Sequence, residues 1–223
     1  MTEREASEQD PGLRALERAF PAERAKAFTD AVIAIAMTLL ILPLMESATE
    51  LDAEGLSTVE WFDAHASQLF TFVLSFTIIG FFWLGHHRVF DQVDRMSNGL
   101  LWLTLLWLLS IVWLPVATAL TGQGSAHDSV MVRIYVGSMF ATQLIWLFIR
   151  WYLLRHPDLH RISRATSREG IIGAAVNALF FLIAGVIAAL FPSVGYWALL
   201  ILFLTGPARR LARIISVRRS RRG

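Results

Sequence analysis

Long apolar runs separated by short polar segments make up most of this chain. Six runs approach or exceed the roughly 20 residues that a helix needs to cross a bilayer. They cover approximately residues 27–45, 66–88, 99–121, 131–154, 170–191 and 193–211. Six such runs cannot all be buried in the core of a soluble protein of 223 residues. The pattern therefore predicts an all-α polytopic membrane protein with six transmembrane helices.

The composition supports this prediction and divides the chain. Hydrophobic residues make up 55% of the sequence and charged residues only 17%, whereas soluble domains carry about a quarter charged residues. The absence of cysteine excludes disulfides and thiolate metal sites. Residues 1–22 lack the apolar core of a signal peptide, so they are predicted to be a cytoplasmic leader. Residues 23–212 then form the membrane domain, and residues 213–223 form a basic cytoplasmic tail.

The distribution of Lys and Arg predicts the orientation. With six spans, every basic residue except Arg133 falls in segments on the same side of the membrane, whereas the opposite loops are acidic or short. Basic loops stay in the cytoplasm, so both termini are predicted to be cytoplasmic. The same pattern explains the basic tail as a segment beside anionic lipid, and no nucleic-acid partner is needed.

The first span, within ERAKAFTDAVIAIAMTLLILPL (residues 23–44), carries a distinctive face. Ile35, Thr38, Leu39 and Leu42 follow the i, i+3, i+4, i+7 spacing that places residues on one side of a helix. Two interpretations remain open from the pattern alone. The stripe could line a functional path, or it could face lipid or other helices while Thr38 bonds back to its own backbone.

Asp30 is unusual because it stands at the membrane boundary of this span. It falls about 220° around the helix from Ile35, which points it into the bundle rather than along the stripe. A charge in that position is costly unless it is paired, so Asp30 is predicted to brace the first helix. Ile41, at about 240°, is likewise expected to face the bundle. The candidate partners of Asp30 are Arg24, Lys26, Trp83, His86 and His87.

The fifth span is rich in small residues at regular spacing: Gly170, Ala174, Ala178, Gly185 and Ala189. Small residues allow close helix packing in lipid, so this span is predicted to pack tightly against neighbours. Asn177 within it should have a hydrogen-bonding partner. The adjacent residues His86 and His87 point in different directions on a helix and have no further ligand at metal spacing, so no metal site is predicted.

The segment RAKAFTD resembles the Arg-x-x-x-Phe-Ser-Asp signature of the transmembrane protein 175 family of potassium channels. Arg24, Phe28 and Asp30 match it, and Thr29 replaces the usual serine. The segments AIAMTLLIL and FFWLGHHRVF, and the six-span layout, are also similar. The resemblance implies a homotetramer with the first helix lining the pore, a preference for potassium, and no cofactor. It implies a hydrophobic constriction rather than a carbonyl filter, and nothing in the chain resembles TVGYG.

We therefore expect a potassium-selective leak channel in the plasma membrane, with K⁺ as the permeant ion and membrane lipid and three further copies as partners. The expected constriction comprises Ile35, Thr38, Leu39 and Leu42. The expected helix-bracing motif comprises Arg24, Phe28, Thr29, Asp30, Trp83, His86, His87 and Asn177. The alternatives left open are an ion-coupled secondary transporter, a channel that also passes protons, and a non-conducting scaffold. An intramembrane enzyme is disfavoured because the ionisable residues lie at the ends of the spans.

Overall fold

A computed structural model describes residues 20–49, 57–123 and 129–190 of the chain. The seven α-helices in this part are α1 Glu23–Leu39, α2 Leu42–Thr49, α3 Thr58–Ala64, α4 Ala66–Phe90, α5 Asn98–Gln123, α6 Ser129–Arg155 and α7 Arg164–Leu190. A short 3₁₀ helix, Pro157–Leu159, lies between α6 and α7, and two short strands are β1 Phe20–Pro21 and β2 Arg95–Met96.

Within the described residues, five apolar segments are long enough to cross a membrane, so the chain is a multi-pass membrane protein. They are Glu23–Thr49, Ala66–Phe90, Asn98–Thr121, Arg133–Arg155 and Arg164–Ile187. These segments match the first five predicted spans. The predicted sixth span at 193–211, the basic tail and most of the leader lie outside the described residues.

The five spans form a bundle in which neighbours in sequence pack together. α5 packs against α1, α4 and α6, and α6 also packs against α7. The core between them is apolar and contains large buried side chains, among them Trp107, Ile111, Leu114, Tyr135 and Met139. This arrangement leaves α1 on one side of the bundle.

The predicted close packing of the fifth span is confirmed for the residues described. Ala174 and Ala178 are buried, and a Cβ placed on Gly185 would contact Val136 of α6. The space left by the missing side chain of Gly170 is filled by the Arg150 guanidinium of α6. The side chain of Ala189 lies outside the described part.

The sequence pattern predicted one continuous helix for the first span, but the structure shows two. α1 ends at Leu39 and α2 begins at Leu42, with a turn between them. The cause is Pro43, which has no N–H to donate to the backbone and whose ring crowds the preceding turn. The Ile41 N–H instead donates to the Thr38 carbonyl at 3.3 Å, a tighter 3₁₀-type bond.

Backbone hydrogen bonds tie the start of α1 to two connecting loops at the same end of the bundle. β1 pairs antiparallel with β2, and Val93 bridges to His160 beyond the 3₁₀ helix. The Arg161 guanidinium also lies 3.0 Å from the Asp94 carboxylate. The chain thus enters the first span from a fixed position.

The loop after the first span contains α3, which sequence analysis had not predicted. Ser57 and Glu60 form a capping box, in which the Ser57 N–H donates to the Glu60 carboxylate at 2.8 Å. Hydrogen bonding by Ser57, mainly through its side chain, holds the pKa of Glu60 below its ordinary value. The stabilisation from the ionised carboxylate is therefore lost as pH falls through that lowered pKa.

Candidate functional site

The face of the first span that carries Ile35, Thr38, Leu39 and Leu42 is exposed in the subunit. Ile35 is 59% exposed, Leu39 41% and Leu42 49%, and Thr38 is also exposed. The opposite face packs into the bundle through four buried residues: Thr29, Ile33, Ala36 and Leu40. All four predicted pore residues are therefore exposed in the subunit, three of them on α1 and Leu42 beyond the turn at the start of α2.

The hydroxyl of Thr38 is committed to its own helix. Its Oγ1 donates to the Ile35 carbonyl at 2.8 Å. Because the proton is used inside the helix, the free lone pairs of the oxygen are available on the exposed side. The side chain can therefore accept a hydrogen bond from water or contribute an oxygen to a cation.

The prediction that Ile41 faces the bundle is wrong, because its side chain is 37% exposed. On a regular helix, the four buried residues of the first span centre about 130° around the axis from Ile35. A residue at about 240° therefore lies at the edge of the buried face. Ile41 also stands in the turn between α1 and α2, where the angular spacing of a continuous helix no longer applies. Leu40, its neighbour, is the residue that enters the core at this level.

Asp30 lies against α4, as its angular position had suggested. Trp83 Nε1 donates to Asp30 Oδ1 at 2.9 Å, and His87 Nδ1 lies 4.0 Å from Asp30 Oδ2. The first distance is a hydrogen bond, whereas the second is too long for one and acts through charge when the imidazole is protonated. Lys26, another candidate partner, instead pairs with Glu23 at 2.9 Å.

His86 and His87 occupy opposite environments. His86 is buried, and its ring stacks on Phe90 at 3.9 Å and on Trp107 at 4.7 Å between ring centroids. Trp146 of α6 approaches the same imidazole at 5.7 Å. His86 therefore joins α4 to α5 and α6, while the exposed side chain of His87 stands beside Asp30.

The remaining residues of the predicted bracing motif are not brought to this cluster. Arg24 is exposed and Phe28 is 54% exposed, so neither packs into its own subunit. Thr29 is buried within α1, one turn or more beyond the N-cap Ala22. Asn177 is half-buried on α7 and has a contact of its own, and it is not among the residues that hydrogen-bond or pair with Asp30, which are Trp83 and His87.

Two polar clusters were missed by sequence analysis. Ser75, Thr118 and Tyr135 are buried and hydrogen-bonded across α4, α5 and α6, with Ser75 Oγ and the Tyr135 hydroxyl 2.6 Å apart. Beyond the break in the first span, Ser47 Oγ donates to Gln68 Oε1 at 3.2 Å and so fastens α2 to α4. Pro43 was the sequence feature that could have predicted the interruption of the first span. Helical periodicity does not predict which side chains pair between spans.

Within the described residues, no group of three or more His, Cys, Asp or Glu side chains could hold a metal ion. The first span instead combines exposed apolar side chains, an exposed hydroxyl at Thr38 and a carboxylate, Asp30, that contacts α4.

The comparisons with known proteins identify the class. Residues 24–115 match the family described as the endosomal/lysosomal potassium channel TMEM175. A relative from Streptomyces collinus, named a potassium channel, is 32% identical over 161 residues, which cover 70% of this chain and 77% of the relative. The chain therefore belongs to the TMEM175 family, a family of ion channels and not of enzymes, as its resemblance had indicated.

Two further matches show the range of the family. The crystal structure of a lysosomal potassium-selective channel TMEM175 homolog from Chamaesiphon minutus superposes with a TM-score of 0.65 at 23% identity, covering 86% of this chain and 97% of that chain. This match shows the fold. A chicken (Gallus gallus) relative named an endosomal/lysosomal proton channel is 32% identical over 172 residues, 71% of this chain but only 34% of the relative.

Proposed function

We propose that this chain is a potassium-selective leak channel of the plasma membrane, with both termini in the cytoplasm and a pore lined by its first span. The observation that carries the proposal is the open face of Ile35, Thr38, Leu39 and Leu42 opposite a well-packed one. The family of ion channels to which the chain belongs supports an ion path, and the bacterial relative named a potassium channel supports K⁺ as the ion.

The pore requires several subunits, because one helix cannot enclose a path. Closed rings of identical subunits place the same face of each copy around the symmetry axis. We propose four copies, so that each residue of the stripe forms a ring of four side chains. The anchoring of Asp30 to Trp83 behind α1 supports this arrangement, since it holds the helix with the stripe turned away from its own bundle.

The rings have two chemical characters. Rings of Ile35, Leu39 and Leu42 offer methyl groups, so water leaves them readily and an ion crosses only at a cost in hydration. The Thr38 ring between them presents oxygen lone pairs that replace part of the hydration shell. K⁺ gives up its hydration more easily than the smaller Na⁺, so a narrow path with few replacement oxygens favours K⁺.

Proton permeation is the second candidate function. The vertebrate relative named a proton channel is as similar in sequence as the bacterial potassium channel. An ion-coupled transporter is less well supported. Transporter sites use paired broken helices with polar groups near mid-membrane, whereas among the described spans only the first is interrupted and Asp30 stands near its beginning.

The test is ion flux through the purified full-length protein in liposomes, with K⁺, Na⁺ and proton gradients applied separately. The proposal predicts passive K⁺ flux that does not saturate, exceeds Na⁺ flux and is not coupled to a counter-ion. Flux carried only by protons would replace it with the second candidate. Saturating flux that stops without a co-substrate would indicate a transporter, and no flux of any ion would contradict conduction.

A further inference from the structure

An open groove lies between α5 and α6, and none of its lining residues belongs to α1. Its volume is about 640 Å³. Its wall is formed by apolar side chains of α5, including Leu106 and Leu109, and by residues of α6 down to Ile145. The chain spans a membrane, so lipid or protein must cover such a groove in the assembled molecule.

One end of the groove is positively charged. Arg133 lines it near the start of α6, is exposed, and has no ion pair or hydrogen bond with any residue in the described part of the chain. Arg133 is also the one basic residue that the predicted topology places away from the cytoplasm. An unpaired guanidinium at the mouth of an apolar groove has the chemistry that binds a phosphate, because its planar fork donates two parallel hydrogen bonds.

The dimensions match one leaflet of a bilayer. Arg133 and Ile145 are twelve residues apart on a continuous helix, which at 1.5 Å per residue is about 18 Å. Half of the hydrocarbon core of a bilayer is about 15 Å. An acyl chain that begins below a phosphate at Arg133 would therefore reach the apolar end of the groove.

Small residues of α6 line the groove. Gly137, Ser138 and Ala141 line it at helical spacing, and a Cβ built on Gly137 would meet only open space. The wall is fixed as well, because Trp113 Nε1 of α5 donates to Ser138 Oγ of α6 at 2.9 Å. A pre-formed wall reduces the ordering cost of binding.

We propose that this groove binds one phospholipid per subunit, with an anionic headgroup phosphate on Arg133 and an acyl chain between α5 and α6. Charge complementarity favours a phospholipid over a second copy that docks through its own α5 and α6, since neither helix contains an acidic residue that could pair with Arg133. The site is separate from the stripe on α1 and does not depend on which ion the protein conducts.

Native mass spectrometry of the full-length protein in detergent tests the proposal, with phosphatidylglycerol and phosphatidylcholine of identical acyl chains as probes. The wild type is expected to retain one phosphatidylglycerol per subunit and to prefer it over phosphatidylcholine. Arg133→Gln should weaken phosphatidylglycerol binding about tenfold or more and remove the preference, as expected for a lost charge-assisted contact. Arg133→Lys should keep part of the preference for phosphatidylglycerol, because it keeps the positive charge.

Filling the groove tests the acyl-chain contact separately. Gly137→Leu should weaken the binding of both lipids, because Gly137 lines the groove and a Cβ there has no neighbour within 4 Å, so the added side chain extends from an open position. The matched controls are Gly85→Leu, at another glycine whose Cβ would meet open space, and Arg88→Gln, at an exposed arginine at the far end of α4. Both controls should bind phosphatidylglycerol as the wild type does.

Three outcomes would overturn the proposal. Phosphatidylglycerol binding unchanged in both Arg133→Gln and Gly137→Leu would show that lipid does not occupy the groove. Displacement of the lipid by millimolar inorganic phosphate would show a phosphate site without acyl-chain recognition. A change in the number of subunits in either variant, without loss of lipid, would show that a second copy covers the groove.

Discussion

The contact between Asp30 and Trp83 is the residue-level feature that orients the first span. Trp83→Phe removes the indole donor while keeping the aromatic packing, and should lower the free energy of unfolding by about 1–2 kcal/mol, since Asp30 is partly exposed and the bond is screened. Thermal unfolding in detergent measures this loss. Asp30→Asn, which keeps an acceptor for Trp83, should lose less stability than Asp30→Ala.

A double-substitution cycle separates the pair from its surroundings. If the hydrogen bond between Asp30 and Trp83 is the source of the stabilisation, Asp30→Ala should lower the free energy of unfolding much less in a Trp83→Phe background than in the wild type. Equal costs in both backgrounds would show that Asp30 does not act through Trp83.

The hydroxyl of Thr38 should matter for selectivity rather than for folding. Thr38→Val keeps the shape and removes the oxygen, so the proposed ring loses its only polar atoms, and the ratio of K⁺ to Na⁺ flux in liposomes should fall. Thr38→Ser keeps the oxygen and serves as the control. A flux ratio unchanged in Thr38→Val would mean that this oxygen does not contact the ion.

Residue positions were predictable where chemistry constrained them. A carboxylate at a membrane boundary must be paired, and this argument led to Trp83 and His87 among its candidates. Helical geometry predicted that His86 and His87 point in different directions, but not which of the two is buried. The exposure of Ile41 was mispredicted, because helical angles hold only along an unbroken helix.

At the scale of elements, the packing of α6 on α7 depends on a missing side chain. Gly170→Ala places a methyl group where the Arg150 guanidinium lies, so a buried cation must move, and thermal stability should decrease. Gly137→Ala is the matched control, because its methyl group meets open space, and it should be neutral or slightly stabilising.

The partner substitution identifies the cause. Arg150→Met replaces the long arginine side chain by a shorter, uncharged one. In that background, Gly170→Ala should decrease thermal stability only slightly. A similar loss of stability in both backgrounds would show that backbone packing, and not Arg150, requires the glycine.

The five described spans were predictable because apolar runs of this length have few alternatives to crossing the membrane. The interruption of the first span was not predicted, although Pro43 was visible, because proline within an apolar run can kink, end or merely bend a helix. The link from Ser75 to Tyr135 joins residues far apart in sequence, and only the packing of α4 and α6 around α5 brings them together.

At the scale of the whole molecule, the orientation remains a prediction from the basic residues. Reporter fusions at residue 56 and at the C-terminus should report opposite sides of the membrane, because an even number of spans returns the chain to the cytoplasm. Both reporters on one side would require an odd number of spans and would contradict the predicted sixth.

The number of subunits is tested by native mass measurement in detergent. The proposed pore predicts four copies, and Asp30→Ala should reduce the yield of the assembly by loosening α1. Conduction by a stable monomer would show that the path lies inside a single bundle and not along α1.

The most direct test of the account is potassium flux through Leu39→Asn in liposomes. An amide in place of each leucine lets water persist in the proposed apolar ring, and each 1.4 kcal/mol or so removed from the barrier raises flux about tenfold. Leu182→Asn on α7 is the matched control, because that leucine is 45% exposed, close to the 41% of Leu39. The account predicts greater K⁺ flux with weaker preference over Na⁺ for Leu39→Asn and unchanged flux for Leu182→Asn. Wild-type flux and selectivity in a correctly assembled Leu39→Asn protein would contradict a pore lined by the first span.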